Sequence, residues 1–186
     1  GRVLCIYVRL SDGYVVQRIR DTIGTWGNET VVNNNNSYYT SLTVLPDGRV
    51  LGVYTRGSDG YLFQRIRDTS GTWGGETVVN SADSSYPSLA VLPDGRVLCI
   101  YRRNFDNFLV QRVYTSGSWG SENPVSDTAA YSPSIAILPD GRILCVYIKY
   151  NGYLVQRVYN SSLWGYEVPV NSAISGYPSL AILPDG

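Results

Sequence analysis

The phrase Leu-Pro-Asp-Gly occurs at 45–48, 92–95, 138–141 and 183–186, in steps of 47, 46 and 45 residues. The four tryptophans, Trp26, Trp73, Trp119 and Trp164, advance by the same steps, and each stands 19 residues before the next Leu of the phrase. A chain so self-similar must be built from copies of one supersecondary unit, because each copy carries the same local instructions. Length changes fall in only two short places. Tyr7, Tyr54 and Tyr101 precede Gln17, Gln64 and Gln111 by ten residues, whereas Tyr147 precedes Gln156 by nine. From Gln to Trp the distance is nine, nine, eight and eight. Segments that absorb insertions while their flanks keep fixed spacing read as surface loops.

Each unit reads as four antiparallel strands. The first is "PSLAVLP", alternating around Leu89 and Val91. Pro-Asp-Gly then makes a tight turn in which Gly is free to take positive φ. The second strand, "RVLCIYRR", is apolar on both faces except at its ends, and a loop rich in Ser, Asp, Asn and Gly follows it. The third is "YLFQRIR" or "FLVQRVY"; a turn ending in Trp leads to a weaker fourth, "ETVVN" or "NPVSD". No stretch carries a helical period.

A lone four-stranded sheet exposes both faces, and stacking sheets face to face buries them. Tandem units of this length therefore predict an all-β chain, a β-propeller with four blade equivalents. One repeat domain spans 1–186, with blades at about 1–39 plus 178–186, 40–86, 87–132 and 133–177. The last unit is split: the chain opens on "GRVLCIYVR" and stops on "YPSLAILPDG". Strand 178–183 is expected to pair with strand 2–8. Pairing within one chain gives four blades. Pairing between two chains gives a homodimer with eight.

Composition narrows the function classes. Fifteen basic residues balance fifteen acidic ones, which gives no pull toward nucleic acid. No apolar run is long enough for membrane insertion by a helix. His and Met are absent, and with no initiating Met the chain reads as a processed or excised piece of a longer one. Cys5, Cys99 and Cys145 occupy one position of the repeat, with Gly52 in the remaining copy. Equivalent positions lie too far apart for a disulfide, so these read as small buried strand residues. No motif implies a metal or a cofactor.

The blades resemble the sialidase-like family of BNR or Asp-box repeats, over all four units. "RDTSGTWGGETVV" is similar to the Asp-box turn S-x-D-x-G-x-T-W. Asp68, Thr72 and Trp73 match it, as do Asp21, Thr25 and Trp26, with Arg67 and Arg20 preceding the Asp and the leading Ser missing. Around Trp119 and Trp164 the boxes are degenerate, "SGSW" and "SSLW". The resemblance implies a carboxylate tying down the turn and a Trp plugging the outer blade, which is a folding device. It also implies, for enzymes of the family, an arginine triad, a Tyr–Glu nucleophile pair and an acidic proton donor. The place aligned with one triad arginine holds Tyr38, Ser85, Tyr131 and Gly176, so the triad is not matched.

The loop between second and third strands carries the candidate ligand site. It repeats a cation, a carboxylate or amide, and an aromatic: Arg9, Asp12, Tyr14; Arg56, Asp59, Tyr61; Arg103, Asp106, Phe108; Lys149, Asn151, Tyr153. Sugars take planar hydrogen-bonding groups and an aromatic face. Solvated hairpin ends with local ion pairs would look the same. The pairs Gln17–Arg18, Gln64–Arg65, Gln111–Arg112 and Gln156–Arg157 read as structural, with Gln bridging blades and Arg stacking on Trp or pairing with Glu29, Glu76, Glu122 and Glu167. Tyr38, Tyr39, Tyr86, Tyr131 and Tyr177 should line one mouth. The expectation is a non-catalytic, lectin-like propeller in an extracellular or virion-surface protein. A structural or protein-binding propeller, natural fragment or engineered repeat, is the alternative, and a sialidase-like glycoside hydrolase stands third.

Overall fold

The computed structural model describes residues 1–160 and 163–183, which form sixteen strands and no helix. Residues 161–162 of the fourth tryptophan turn and 184–186 of the last Pro-Asp-Gly lie outside the described residues.

The strands form four antiparallel sheets in chain order. The first holds β1 (Val3–Arg9), β2 (Tyr14–Arg20) and β3 (Thr30–Asn33). The second holds β4 (Ser37–Val44), β5 (Val50–Arg56), β6 (Leu62–Arg67) and β7 (Thr77–Asn80). The third holds β8 (Ser84–Val91), β9 (Val97–Arg103) and β10 (Phe108–Thr115), with two short strands, β11 (Ser118–Trp119) and β12 (Asn123–Pro124), both paired to β10. The fourth holds β13 (Ala130–Ile137), β14 (Ile143–Lys149), β15 (Tyr153–Tyr159) and β16 (Val168–Ile174).

The Leu-Pro-Asp-Gly phrase fixes the register of each inner hairpin. Leu45 N–H donates to the Arg49 carbonyl at 2.7 Å and Gly48 N–H to the Leu45 carbonyl at 2.9 Å. Gly48, Gly95 and Gly141 take φ of 83°, 84° and 84°, which a side chain would resist. Asp47 Oδ1 accepts the Arg49 N–H at 3.0 Å, so the Asp closes the same turn from its side chain.

The second strand of each inner sheet is flanked on both edges and covered on both faces. Leu51 and Val53, Leu98 and Ile100, and Tyr54, Tyr101 and Tyr147 are accordingly buried. The first strands of neighbouring sheets pack on one another, β4 against β8 and β8 against β13. Burial pushes the Cys99 and Cys145 thiols up, as expected of inert strand residues. Gly52 has its own reason: a Cβ there would meet the Trp73 ring at 3.3 Å.

Neighbouring sheets are linked by one repeated hydrogen bond. Trp73, Trp119 and Trp164 donate their indole N–H to Gln17, Gln64 and Gln111 of the preceding sheet, at 3.0, 2.8 and 3.1 Å. Gln thus bridges sheets as its invariance among the repeats suggested. The arginine beside it does not reach the expected glutamate. Arg18, Arg65 and Arg112 donate instead to the carbonyls of Gly27, Gly74 and Gly120, at 2.8, 3.0 and 2.9 Å.

Of the two pairings expected for the ends, the one within a single chain does not form. Residues 178–183 form no ladder with β1, so the first sheet has only three strands. The segment lies beside β13, with Leu180 N–H donating to Ser134 Oγ at 3.1 Å. Cys5 is consequently exposed, not buried like Cys99 and Cys145, because no strand covers its edge.

Candidate functional site

Every second strand ends in Tyr-x-Arg or Tyr-x-Lys, and the two side chains share a strand face. The Tyr hydroxyl donates to a glutamate: Tyr7 to Glu29 at 2.6 Å, Tyr54 to Glu76 at 2.7 Å, Tyr101 to Glu122 at 2.6 Å and Tyr147 to Glu167 at 2.7 Å. The other carboxylate oxygen takes Arg9, Arg56, Arg103 or Lys149, at 2.5, 3.5, 3.1 and 2.5 Å. Tyr and Arg reach the glutamate together, which leaves the arginine of the Gln-Arg pair to the glycine carbonyls. Burial, reinforced by the carboxylate partner, pushes the Tyr54, Tyr101 and Tyr147 phenols well up. These phenols are fixed donors that tie the fourth strand to the second.

The loop residues are also turned on one another. Arg9 Nε lies 3.1 Å from both oxygens of Asp12, Arg103 Nε lies 3.2 Å from both of Asp106, and Arg56 pairs with Asp59 in the same way. The free side of each carboxylate closes the hairpin: Asp12, Asp59 and Asp106 accept the N–H of Tyr14, Tyr61 and Phe108, each at 3.1 Å. Asn151 does the same for Tyr153 at 3.2 Å without a charge. The arginine partner holds the Asp12 and Asp59 carboxyls below the usual carboxylate range. The aromatics diverge. Tyr61 packs on the core with Val15 and Phe63, Phe108 is half-buried, Tyr14 lies under Arg9, and Tyr153 is exposed.

A second set of residues meets these loops at the same end of the sheets. Each first strand carries a bulge, between Tyr38 and Ser41, Ser85 and Ser88, and Tyr131 and Ser134. Within or beside it one residue turns left-handed: Tyr39 at φ 48°, Tyr86 at 55°, Ser132 at 52° and Tyr177 at 46°. Such a φ is costly for an aromatic residue and persists only where neighbours over-determine it. Here it aims rings at one another. Tyr39 and Tyr86 lie 4.1 Å apart between centroids, and Tyr39 donates its hydroxyl to that of Tyr86 at 3.3 Å. Tyr38 and Tyr39 are exposed.

A groove of about 380 Å³ is lined by Tyr38 and Tyr39, the 56–60 loop, and Asp83, Ser85 and Asn104, with Tyr86 stacked on Tyr39 beside it. Its counterpart on the first sheet, about 500 Å³, joins Asp12 and Leu10 to Asn36 and Tyr38. Arg102 stands beside Tyr86, where the other repeats have Val8, Thr55 and Ile148. It donates to Asn107 Oδ1, and its buried Nε has no partner among the described residues. Sequence reading passed over Arg102 and Asn104; the departure from an otherwise fixed phrase was the available signal. Larger grooves of about 590 Å³ lie at the opposite turns and along the outer strands. Their polar groups are matched already, Arg49 to Asp47, Arg96 to Asp94 and Trp119 to Gln64, and they present no exposed tyrosine.

The tryptophan turns behave as folding devices. Asp68 Oδ1 accepts the N–H of Gly71 and Thr72, both at 2.8 Å, and Asp21 Oδ1 accepts those of Ile23 and Thr25 at 3.0 and 2.8 Å. In the fourth repeat Asn160 Oδ1 takes the Leu163 N–H at 3.1 Å, a substitute that the sequence pattern had not revealed.

No protein-family model and no curated protein matches the chain. Solved structures do. AofleA from Arthrobotrys oligospora is 11% identical with a TM-score of 0.70, covering 92% of this chain and 55% of its own. The intramolecular trans-sialidase of Ruminococcus gnavus, solved with oseltamivir carboxylate, is 20% identical with a TM-score of 0.71, covering 93% and 44%. An α-L-arabinanase of Penicillium chrysogenum, solved with arabinobiose, is 21% identical with a TM-score of 0.64, covering 87% and 60%. The shared feature is the sialidase-type propeller fold, and the chain spans about half the length of the structures it resembles.

Proposed function

We propose that the chain is a non-catalytic recognition propeller built from degenerate Asp-box repeats, and that it binds carbohydrate at the end where the 9–14 and 56–60 loops meet the first-strand tyrosines. The observation that carries this reading is the Tyr39–Tyr86 pair. Two rings held by left-handed backbone stand beside a groove lined by Arg56, Asp59, Ser85 and Asn104. An aromatic face covers the C–H patch of a sugar ring, and planar amide, carboxylate and guanidinium groups suit its hydroxyls. Arg102 adds a cation at the Tyr86 side. In this reading Asp12, Asp59, Asp106 and Asn151 shape the loops, and Arg9, Arg56, Arg103 and Lys149 offer only their outward edges. The comparison structures carrying sugars or sugar analogues support the class of ligand.

A hydrolase fits the geometry less well. The Tyr–Glu pair recurs in all four sheets with its phenol buried in three of them, which is how a structural tie behaves. A catalytic site draws different residues from different blades. The alternative is a protein-binding or structural propeller, favoured by the mutual pairing of the loop charges; an extracellular or virion-surface setting suits both.

A glycan array followed by titration tests the reading. Tyr86→Ala and Tyr39→Ala are expected to weaken a bound glycan at least tenfold while Tyr153→Ala, away from the groove, leaves it unchanged. No binding at millimolar sugar, with a protein recovered as partner instead, would overturn it. Turnover of a fluorogenic sialoside that one arginine substitution abolishes would restore the enzyme.

A further inference from the structure

The groove between the second and third sheets holds a carboxylate that no cation answers. The equivalent positions of the four repeats are Asn36, Asp83, Ala129 and Ile174, so only one repeat places a charge there. The side chain is held closely. A Cβ on Gly60 would meet Asp83 Oδ1 at 2.2 Å, just as a Cβ on Gly13 would meet Asn36 Oδ1 at 2.0 Å. Asp83 Oδ1 accepts the Asn104 side-chain N–H at 2.8 Å, and Ser85 Oγ fixes Asn104 in turn at 2.7 Å. Both neighbours are neutral. Asp83 is exposed and forms no ion pair among the described residues. The cations nearby are engaged elsewhere: Arg56 with Asp59 and Glu76, Arg103 with Asp106 and Glu122, and Arg102 with the Asn107 amide. With Asp83 added, these three cations stand against five carboxylates. The same groove presents two exposed rings, Tyr38 and Tyr39, 6.2 Å apart between centroids and inclined at 51°. Aromatic faces carry partial negative charge, so rings beside an unanswered carboxylate attract a cation.

We propose that this groove selects a sugar bearing a protonated amine, that is, an amino sugar without its acetyl group. The ammonium lies between the Asp83 carboxylate and the rings of Tyr38 and Tyr39. The inference rests on the carbohydrate reading above and names the class of sugar within it. The amine gives Asp83 its missing counter-charge and offers N–H donors to a group that can only accept. An N-acetylated sugar brings no charge, and an acidic sugar would be repelled by Asp59 and Asp83. The counterpart groove on the first sheet has neutral Asn36 in the matching place, its amide donating to the Tyr38 hydroxyl at 3.2 Å. That groove has no preference for an amine.

The test is calorimetric titration in mildly acidic, low-salt buffer with short oligomers of glucosamine and of galactosamine. Each is compared with its N-acetylated form and with the neutral oligomer of the parent hexose. At least one amino form is expected to bind roughly tenfold or more tightly than both of its counterparts, from one ion pair and one cation–π contact. The advantage should shrink as salt is added. Asp83→Asn is expected to abolish it while leaving the weaker binding of the neutral oligomer in place. The variant side chain fits, because Asn36 already occupies the equivalent position against Gly13. Equal binding of the amino, N-acetylated and neutral forms would overturn the inference and leave the carbohydrate reading standing. Binding of none of them would overturn the inference, and a glycan array that is also blank would overturn the carbohydrate reading with it. An amine preference that survives Asp83→Asn would overturn the inference. So would a lysine peptide bound as tightly as the amino sugar, which would make the partner a protein amine.

Discussion

The first and third sheets carry nearly the same words, "GRVLCIYVR" and "GRVLCIYRR", yet their second strands meet different surroundings. In β9 the run Val97–Tyr101 is buried at every position, whereas in β1 no residue of the matching Val3–Tyr7 is buried and Val3 and Cys5 are exposed. Local sequence decided that both are strands. The neighbours decided how much water each one sees. In β9 the flanking strands and adjacent sheets supply cover; in β1 one edge and one face are open.

The difference makes measurable claims, the largest in the core. Ile100→Ala should cost about 2–5 kcal/mol by urea unfolding, because a fully buried side chain leaves a cavity. The matching Ile6→Ala should cost about 1 kcal/mol or less in dilute solution, since Ile6 is only partly covered.

The inter-sheet link gives the next contrast. Gln64→Ala strands the Trp119 indole N–H, at about 1–2 kcal/mol. Gln156→Ala should be neutral in a single chain. Acidification probes the loops. The folded carboxyls of Asp12 and Asp59 lie below their unfolded values, so their contribution is fully present above the unfolded value of about 4. It is lost as pH falls through the lower folded values. Asp59→Asn should flatten that acid limb of a stability-against-pH curve, and Asn151, already neutral, should contribute nothing to it. The smallest effect belongs to the outer turns. Arg96→Ala breaks an ion pair whose members are about half exposed, and should change stability by less than about 1 kcal/mol.

Much of the architecture was legible because each repeat states it again. The Pro-Asp-Gly turn and the bridging role of Gln follow from spacing and strand alternation and are found in the structure, and the four-strand unit is found in the second and fourth sheets, while the first has three strands and the third five. The glutamate network was half legible. Glu29 and its equivalents recur visibly, but which cation reaches them depends on strand faces and on where the Gly27, Gly74 and Gly120 carbonyls fall. The tyrosines were placed correctly at one end, whereas their left-handed bulges were not foreseen, because no local rule favours positive φ at Tyr39 or Tyr86. Arg102 was overlooked because attention to what recurs hides what departs.

The sequence by itself determined an all-β chain of four like units, its turns and the residues that tie one unit to the next. Those are short-range matters, set by alternation, by glycine at positive φ and by side chains that must satisfy buried polar groups. Tertiary structure decided which loop charges spend themselves on each other, which tyrosines share a groove, and that Cys5 is exposed while Cys99 is sealed. Burial is a property of neighbours, and identical words acquire different surroundings according to what packs beside them.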